Sequence, residues 1–411
     1  MSRVLPRLRD ELDILPSPLA DRPGWIVRDP MGYSPDVILI PPWWARALGC
    51  FDGEKTEADL QFLLTRQNGG VLVPLDELQT FVDALETRGF LETDAFRALR
   101  EARQEEFRRA PDRTPAHAGA GYPDSAAALE ETFAGYFRDG SGVGAAEAPD
   151  LFAIAAPHVS PFGGRRSYAA AYHRLRPELS ERTFVILGTS HYGEPDRFGL
   201  TRKPFVTPLG RVEVDGDLAD ALVSRAPDSV ELEDYCHAVE HSIEFQVVFL
   251  QYALRRPFKI LPILCGSFLT SFLTGEPPES NPHVERFVGA LRDLAEAERS
   301  RLFFVLGVDM AHVGIRYGDG YEAVAHEGRL LDVAAQDRER IDRLVAADSR
   351  EFLALVLRDR DPLKWCGFSA LYTFLSAAGP AAGRLLSYEQ WNIDPQSVVS
   401  FAGIEFSRPT S

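Results

Sequence analysis

Three apolar runs, each closing on a histidine, constrain this chain more than any other feature. LFAIAA (151–156) runs into Pro157 and then His158. TFVILGTS (183–190) runs into His191. RLFFVLGV (301–308) runs into Asp309 and, past Met310 and Ala311, His312. Continuous apolar runs bounded by Gly, Pro and Ser read as strands buried on both faces, the kind found in a parallel sheet covered by helices. Ligands of open α/β sheets bind beyond the carboxyl ends of such strands. Three strand ends that each carry an imidazole therefore predict one shared site.

The patterns around these runs set the domain organisation. At 411 residues the chain exceeds one ordinary core, and two domains are expected. From about 118 to 408, strand and helix patterns alternate, the signature of an α/β domain. RRSYAAAYHRL (165–175) and DLADALVSRA read as helices, EHSIEFQVVFLQYAL (240–254) as a long amphipathic one, and FKILPILCG (258–266) as a buried strand. A charged helical stretch spans about 328–358, followed by the apolar helix KWCGFSALYTFLSAAG and a last strand, SVVSFAGIEF.

Residues 1–110 form a separate, small unit. The first thirty are polar and proline-punctuated, without clear periodicity, and Val37 to Ile40 then give a short strand. Thr56 is placed to cap a helix carrying Leu60, Leu63 and Leu64. After Gly69-Gly70, a second helix puts Leu75, Leu78, Phe81, Val82 and Leu85 on one face, and GFLE follows as a short strand. This is a winged-helix-like α+β arrangement, similar also to the peptide-binding domains of modified-peptide biosynthesis. Its helices are acidic and none is a basic recognition helix, so it reads as an interaction or packing module rather than a DNA reader. A charged helix (96–109) leaves it, and APDRTPAHAGAGYP reads as a linker in which His117 is solvated.

Charge and cysteine usage exclude several classes. A net charge of −17, spread along the chain, argues against nonspecific binding to nucleic acid or an anionic membrane. No apolar run is long enough to span a bilayer, and the N-terminus lacks the apolar segment of a secretory signal. The four cysteines are scattered with no CxxC pair, which fits reduced thiols and a cytoplasmic protein.

Several side chains carry the candidate chemistry. His158 and His191 sit in Gly/Pro/Ser-rich turns that expose a side chain at the sheet edge, where an imidazole can bind a metal through one nitrogen while the other is oriented. Asp309 and His312 could act as acid–base partners, or Asp309 could cap a helix. Cys366 opens an apolar helix, where the dipole favours thiolate; thiolate beside two imidazoles would suit Fe(II), zinc or copper, while a small buried core side chain is the plainer alternative. Glu240 and Glu244 share a helical face with His241 one position round, which suggests a supporting role for Glu240 or His241 beside a plain dipole role. His173, His237, His283 and His326 are expected at the surface.

Taken together, APHVSPFGG, ILGTSHYG, EHSIEFQ, VDMAHVG and WCGFSAL resemble, in order and rough spacing over about 120–408, the motifs of the MEMO family, which includes protein B of the AmmeMemoRadiSam system. The resemblance implies an α/β fold with a mixed central sheet flanked by helices, similar to class III extradiol dioxygenases. It also implies His158, His191 and Cys366 as metal ligands, His312 as a catalytic histidine, and Asp309 in the same pocket. The pattern departs from the family at HVSPFGG, at Tyr192 beside His191 (a histidine in the usual pair), at Gly307-Val308 and at Phe368.

The resulting expectation is a metal-binding protein with one non-haem iron(II), or copper or zinc, as a dioxygenase-like oxidoreductase on a small molecule. Its rival is a non-catalytic protein that binds a peptide or phosphopeptide and recruits a protein partner through residues 1–110, in a radical-enzyme or peptide-modification pathway. A third reading is a true ring-cleaving dioxygenase, against which Cys366 counts as an oxidisable replacement for a carboxylate.

Overall fold

The computed structural model describes residues 2–17, 19, 21–139 and 150–409. The chain divides into two compact units, Met1–Arg109 and Ala110–Ser411.

In the first unit, β1 (Asp13–Pro16), β2 (Trp25–Arg28) and β3 (Val37–Ile40) form an antiparallel sheet in the order β1-β2-β3. The first two lie in the stretch read as having no periodicity: each is only four residues long and only Val27 is buried, so alternation has no length in which to appear. Helices Glu57–Gln67, Leu75–Thr87 and Asp94–Arg109 follow. Thr56 accepts from Asp59 N, and the Asp59 side chain takes the Thr56 backbone N–H, a capping box. Leu60, Leu64, Leu78, Val82 and Leu85 are buried together with Val27 and Ile40. GFLE is not a strand; Leu91 makes a single bridge to Leu8.

The second unit is built on an eleven-stranded mixed sheet. Its strands are β4 (Leu151–Ala156), β5 (Thr183–Thr189), β6 (Phe198–Leu200), β7 (Phe205–Thr207), β8 (Gly210–Val214), β9 (Val230–Leu232), β10 (Lys259–Cys265), β11 (Leu302–Gly307), β12 (His312–Gly314), β13 (Ala382–Asp394) and β14 (Ser397–Ser407). The order is β12-β14-β4-β11-β5-β10-β6-β9, with β13 on β14, β8 on β10 and β7 on β8. At its centre β4, β11, β5 and β10 are parallel. Gly307 of β11 is level with Ala156 of β4 and Gly188 of β5. The three apolar runs are therefore adjacent, and their histidine-bearing ends leave the sheet side by side.

Burial on both faces accounts for the unbroken apolar runs. Ala153, Val185, Leu187, Phe304 and Leu306 join the core of helices Gly216–Arg225, Pro282–Ala297 and Phe368–Ala377. The alternate residues Ile154, Ile186 and Val305 point the other way. There Pro161–Tyr172 contacts β4 and Glu244–Leu254 contacts β11. Phe249 stacks on Tyr168 and on Phe133, both at 4.2 Å between ring centroids.

Four expectations need correction. The long helix starts at Glu244, not Glu240, and is buried almost all round rather than amphipathic. Glu240 to Ile243 form a turn after the short helix Cys236–Val239, so Glu240 and Glu244 share no helical face. The linker around His117 is fixed in place: Glu244 accepts from Ala116 N and His117 N (both 3.0 Å), from Arg113 and from Tyr122. His237 is buried, its Nε2–H donating to Gly199 O (3.1 Å).

Candidate metal centre

Each of the first two histidines is aimed by a second hydrogen bond. After β4, Pro157 ends the run and His158 turns inward, fully buried. Its backbone N–H donates to Asp309 Oδ1 (2.9 Å), and its Nδ1 lies 2.9 Å from the Gly307 carbonyl. A carbonyl accepts only, so Nδ1 carries the proton and Nε2 keeps its lone pair. After β5, His191 gives both its backbone N–H and Nδ1–H (2.9 Å) to the Glu240 carboxylate. A carboxylate only accepts, so Nδ1 carries a proton here too.

The third ring is His241, from the turn after Glu240. The three imidazoles form a near-equilateral triangle, with centroids 5.1 Å (His158–His191), 5.2 Å (His158–His241) and 5.0 Å (His191–His241) apart. One nitrogen of each lies within 4.8 Å of the others, a group that could hold a metal ion. The EHSIE string, read as the start of a helix, suggests for His241 only a supporting role and does not place it at the strand ends. The turn turns it toward them.

Cys366 stands beside this triangle. Its Sγ is 3.4 Å from His158 Nε2 and 3.7 Å from the Asp309 carbonyl. The helix proper begins at Phe368 with Gly367 as its cap, and the thiol is not lowered by it: burial and then Asp309 push it well up from the ordinary value. Asp309 is buried, with Oδ2 3.5 Å from His158 Nε2; burial raises its carboxyl to about 6 against the pull of His312. His312 donates through Nδ1–H to Met310 O (2.9 Å) and packs edge-on against Tyr317 (4.9 Å). Tyr192 is half-buried, 6.0 Å from the His191 ring. Glu244 lies apart from the rings, tied to Arg113.

The electrostatics favour a cation. Burial and the neighbouring His191 lower the His158 imidazole to about 3; burial and the adjacent rings put His241 well below its ordinary range; burial holds His312 at about 4. Neutral imidazoles with free lone pairs are metal-ready, whereas three imidazolium ions in this space would repel. Nitrogen donors joined by sulfur suit iron, copper or zinc. The residues fit a metal ion.

The sequence profile of the Memo-like protein family matches residues 113–405. A MEMO1 family protein of Aquifex aeolicus is 26% identical over 386 residues, 93% of this chain and 96% of that protein. One from Methanosarcina acetivorans is 30% identical over 299 residues, 71% of this chain and 98% of its own length. One from Methanopyrus kandleri is 30% identical over 315 residues, 72% and 99%. The two archaeal proteins are comparable in length to the second unit alone, while the Aquifex match reaches into both.

Proposed function

The chain belongs to the Memo-like family, and from that premise we propose that it binds one metal ion between His158, His191 and His241, with Cys366 as a further donor. The observation that carries this is that one nitrogen of each of the three rings lies within 4.8 Å of the others, with Nδ1–H of His158 held by Gly307 O and that of His191 by Glu240. Iron(II) is the proposed metal, with copper and zinc as the competing ones. When bound, such an ion supplies redox chemistry to a small molecule, as an oxidoreductase does. The chain's own part is to exclude water around His158, to keep Asp309 against that ring, and to offer His312 as a base that is unprotonated at neutral pH. Free cysteines at all four positions suit a reducing, cytoplasmic setting.

Anaerobic metal analysis tests the reading. One equivalent in the wild type, lost in His191→Ala, is expected. His241→Ala and Cys366→Ser then separate the two ligand sets: loss only in His241→Ala leaves three imidazoles, and loss only in Cys366→Ser leaves the His158/His191/Cys366 set implied by the family motifs. A wild-type protein that takes up no metal after anaerobic reconstitution overturns the centre.

A second reading, partner recruitment without catalysis, is favoured by β3. It is an edge strand with Val37 and Leu39 exposed, a setting in which an extended peptide can add as a further strand. A metal-free protein whose peptide binding is lost on replacing Val37 by proline would support it.

A further inference from the structure

A cavity of about 360 Å³ opens at the carboxyl edge of the sheet, beside the proposed centre. Its walls are Phe268 and Phe272, just beyond β10, and Trp365 and Phe368, on either side of Cys366. Cys366 lines it as well, so one residue borders both the cavity and the histidine triangle. The aromatic packing is made by Phe368, whose ring meets Phe268 at 5.8 Å and Phe272 at 5.5 Å edge-on. Trp365 turns its indole N–H away, donating to Asp337 (2.7 Å), which leaves an apolar surface toward the cavity.

Its polar side is selective. Of the lining charges, Asp361 is neutralised by Arg340 (2.7 Å) and Lys364 by Asp319 (2.8 Å). Arg360 lines the same cavity and has no acidic partner within salt-bridge distance among the described residues. Asp359, Arg360 and Asp361 all have positive φ (54°, 59° and 52°). Three consecutive non-glycine residues in the left-handed region are held there at a cost, and such strain gathers where a loop must present a particular group. In a chain of net charge −17, an unpaired guanidinium at the mouth of an apolar cavity is a specific attraction for an anion.

We propose that this cavity is the substrate subsite of the centre and takes an apolar monocarboxylate, its hydrocarbon or aryl body among the four rings and its carboxylate on Arg360. Its size is that of a pocket for one small ligand, and a guanidinium holds a carboxylate through two parallel hydrogen bonds. In naming the substrate of the centre this rests on the metal-binding reading, whereas the binding of the carboxylate itself does not require the metal.

The test is calorimetric titration of the full-length, metal-free protein with 3-phenylpropionate and octanoate, and with their neutral amides. Saturable one-site binding is expected, with the amides weaker by about tenfold, the loss of one charge-assisted pair. Arg360→Gln should remove that tenfold preference, and Phe272→Ala should weaken acid and amide alike; Arg360 is exposed and Phe272 half-buried. Absence of saturation by either acid, or an acid-over-amide preference that survives Arg360→Gln, overturns the proposal. Metal analysis of the same preparations after anaerobic reconstitution with iron(II) separates the two readings: metal uptake without carboxylate binding removes the cavity alone, and carboxylate binding without metal uptake removes the centre alone.

Discussion

Glu240 holds both N–H groups of His191, the backbone amide and Nδ1, on one carboxylate. The backbone carbonyl of the same residue accepts from Arg113 Nη2 (3.0 Å), and His241 follows it, so a single turn orients one ring of the triangle and supplies another. Glu240→Gln keeps the size of the side chain but can offer only one acceptor where two are needed. Metal affinity is expected to fall by about 10- to 100-fold, the range for losing an orienting partner of a ligand histidine. Competition titration against a chelator measures it, and an unchanged affinity would mean that His191 is aimed by packing alone.

Gly188 secures that turn from the strand side. A Cβ there would stand 2.6 Å from both Ser242 Oγ and Ile243 Cγ1, and Ser242 Oγ donates to the Thr189 carbonyl (2.8 Å). Gly188→Ala therefore pushes the turn off β5 and His241 with it. Overpacking of this kind destabilises by about 1–3 kcal/mol. The expected result is a lower melting temperature for the metal-free protein together with weaker metal binding; loss of stability with affinity intact would place His241 outside the ligand set.

The strand-end histidines are legible in the sequence because a doubly buried strand and the turn that ends it are both local signals. The adjacency of β4, β11 and β5 is not, since pairing joins residues some 150 positions apart, as His158 and Asp309 show. His241 escaped for a different reason. EHSIEF carries acidic residues where a helix would start, and nothing local distinguishes that from a turn. The segment 110–123 read as a linker because Ala, Gly and Pro dominate it, and its anchors, Arg113 and Tyr122, find their partner Glu244 far along the chain. β13 was missed although YEQWNI has polar and apolar residues two apart, because a strand with half-buried residues lacks the apolar run that marked the others.

Arg113 and Glu244 form a fully buried pair that fastens this segment to the long helix. Burial alone would raise the Glu244 carboxyl, but Arg113, His117 and Tyr122 together hold it below its ordinary value. Arg113→Met leaves that carboxylate buried without a cation, and also strips donors from the His237 and Glu240 carbonyls. Chemical denaturation should show a loss of about 3–5 kcal/mol. The double variant Arg113→Met/Glu244→Gln, with no charge left to bury and an amide oxygen still able to accept from the 116–117 backbone, is expected to recover part of it, which a purely steric role for Arg113 would not allow.

His237 supplies a pH dependence outside the proposed metal ligands. Burial first, and Arg113 nearby, lower its pKa from 6.5 to about 4, against a hydrogen bond to Gly199 that works the other way. Below pH 6.5 the unfolded chain takes up a proton that the folded one refuses, so stability falls as the solution is acidified, by about 3 kcal/mol at pH 4 from this group alone. Asp234 and Asp309, raised by burial to about 6, work in the opposite sense, gaining stability as they protonate below that pH. The contribution of His237 is therefore read by difference. His237→Gln keeps a donor for the Gly199 carbonyl and cannot titrate, so its denaturation free energy relative to that of the wild type should be higher at pH 4.5 than at pH 7.5, by about 2–3 kcal/mol. Parallel curves for the two proteins across that range would mean that the imidazole is protonated in the folded state.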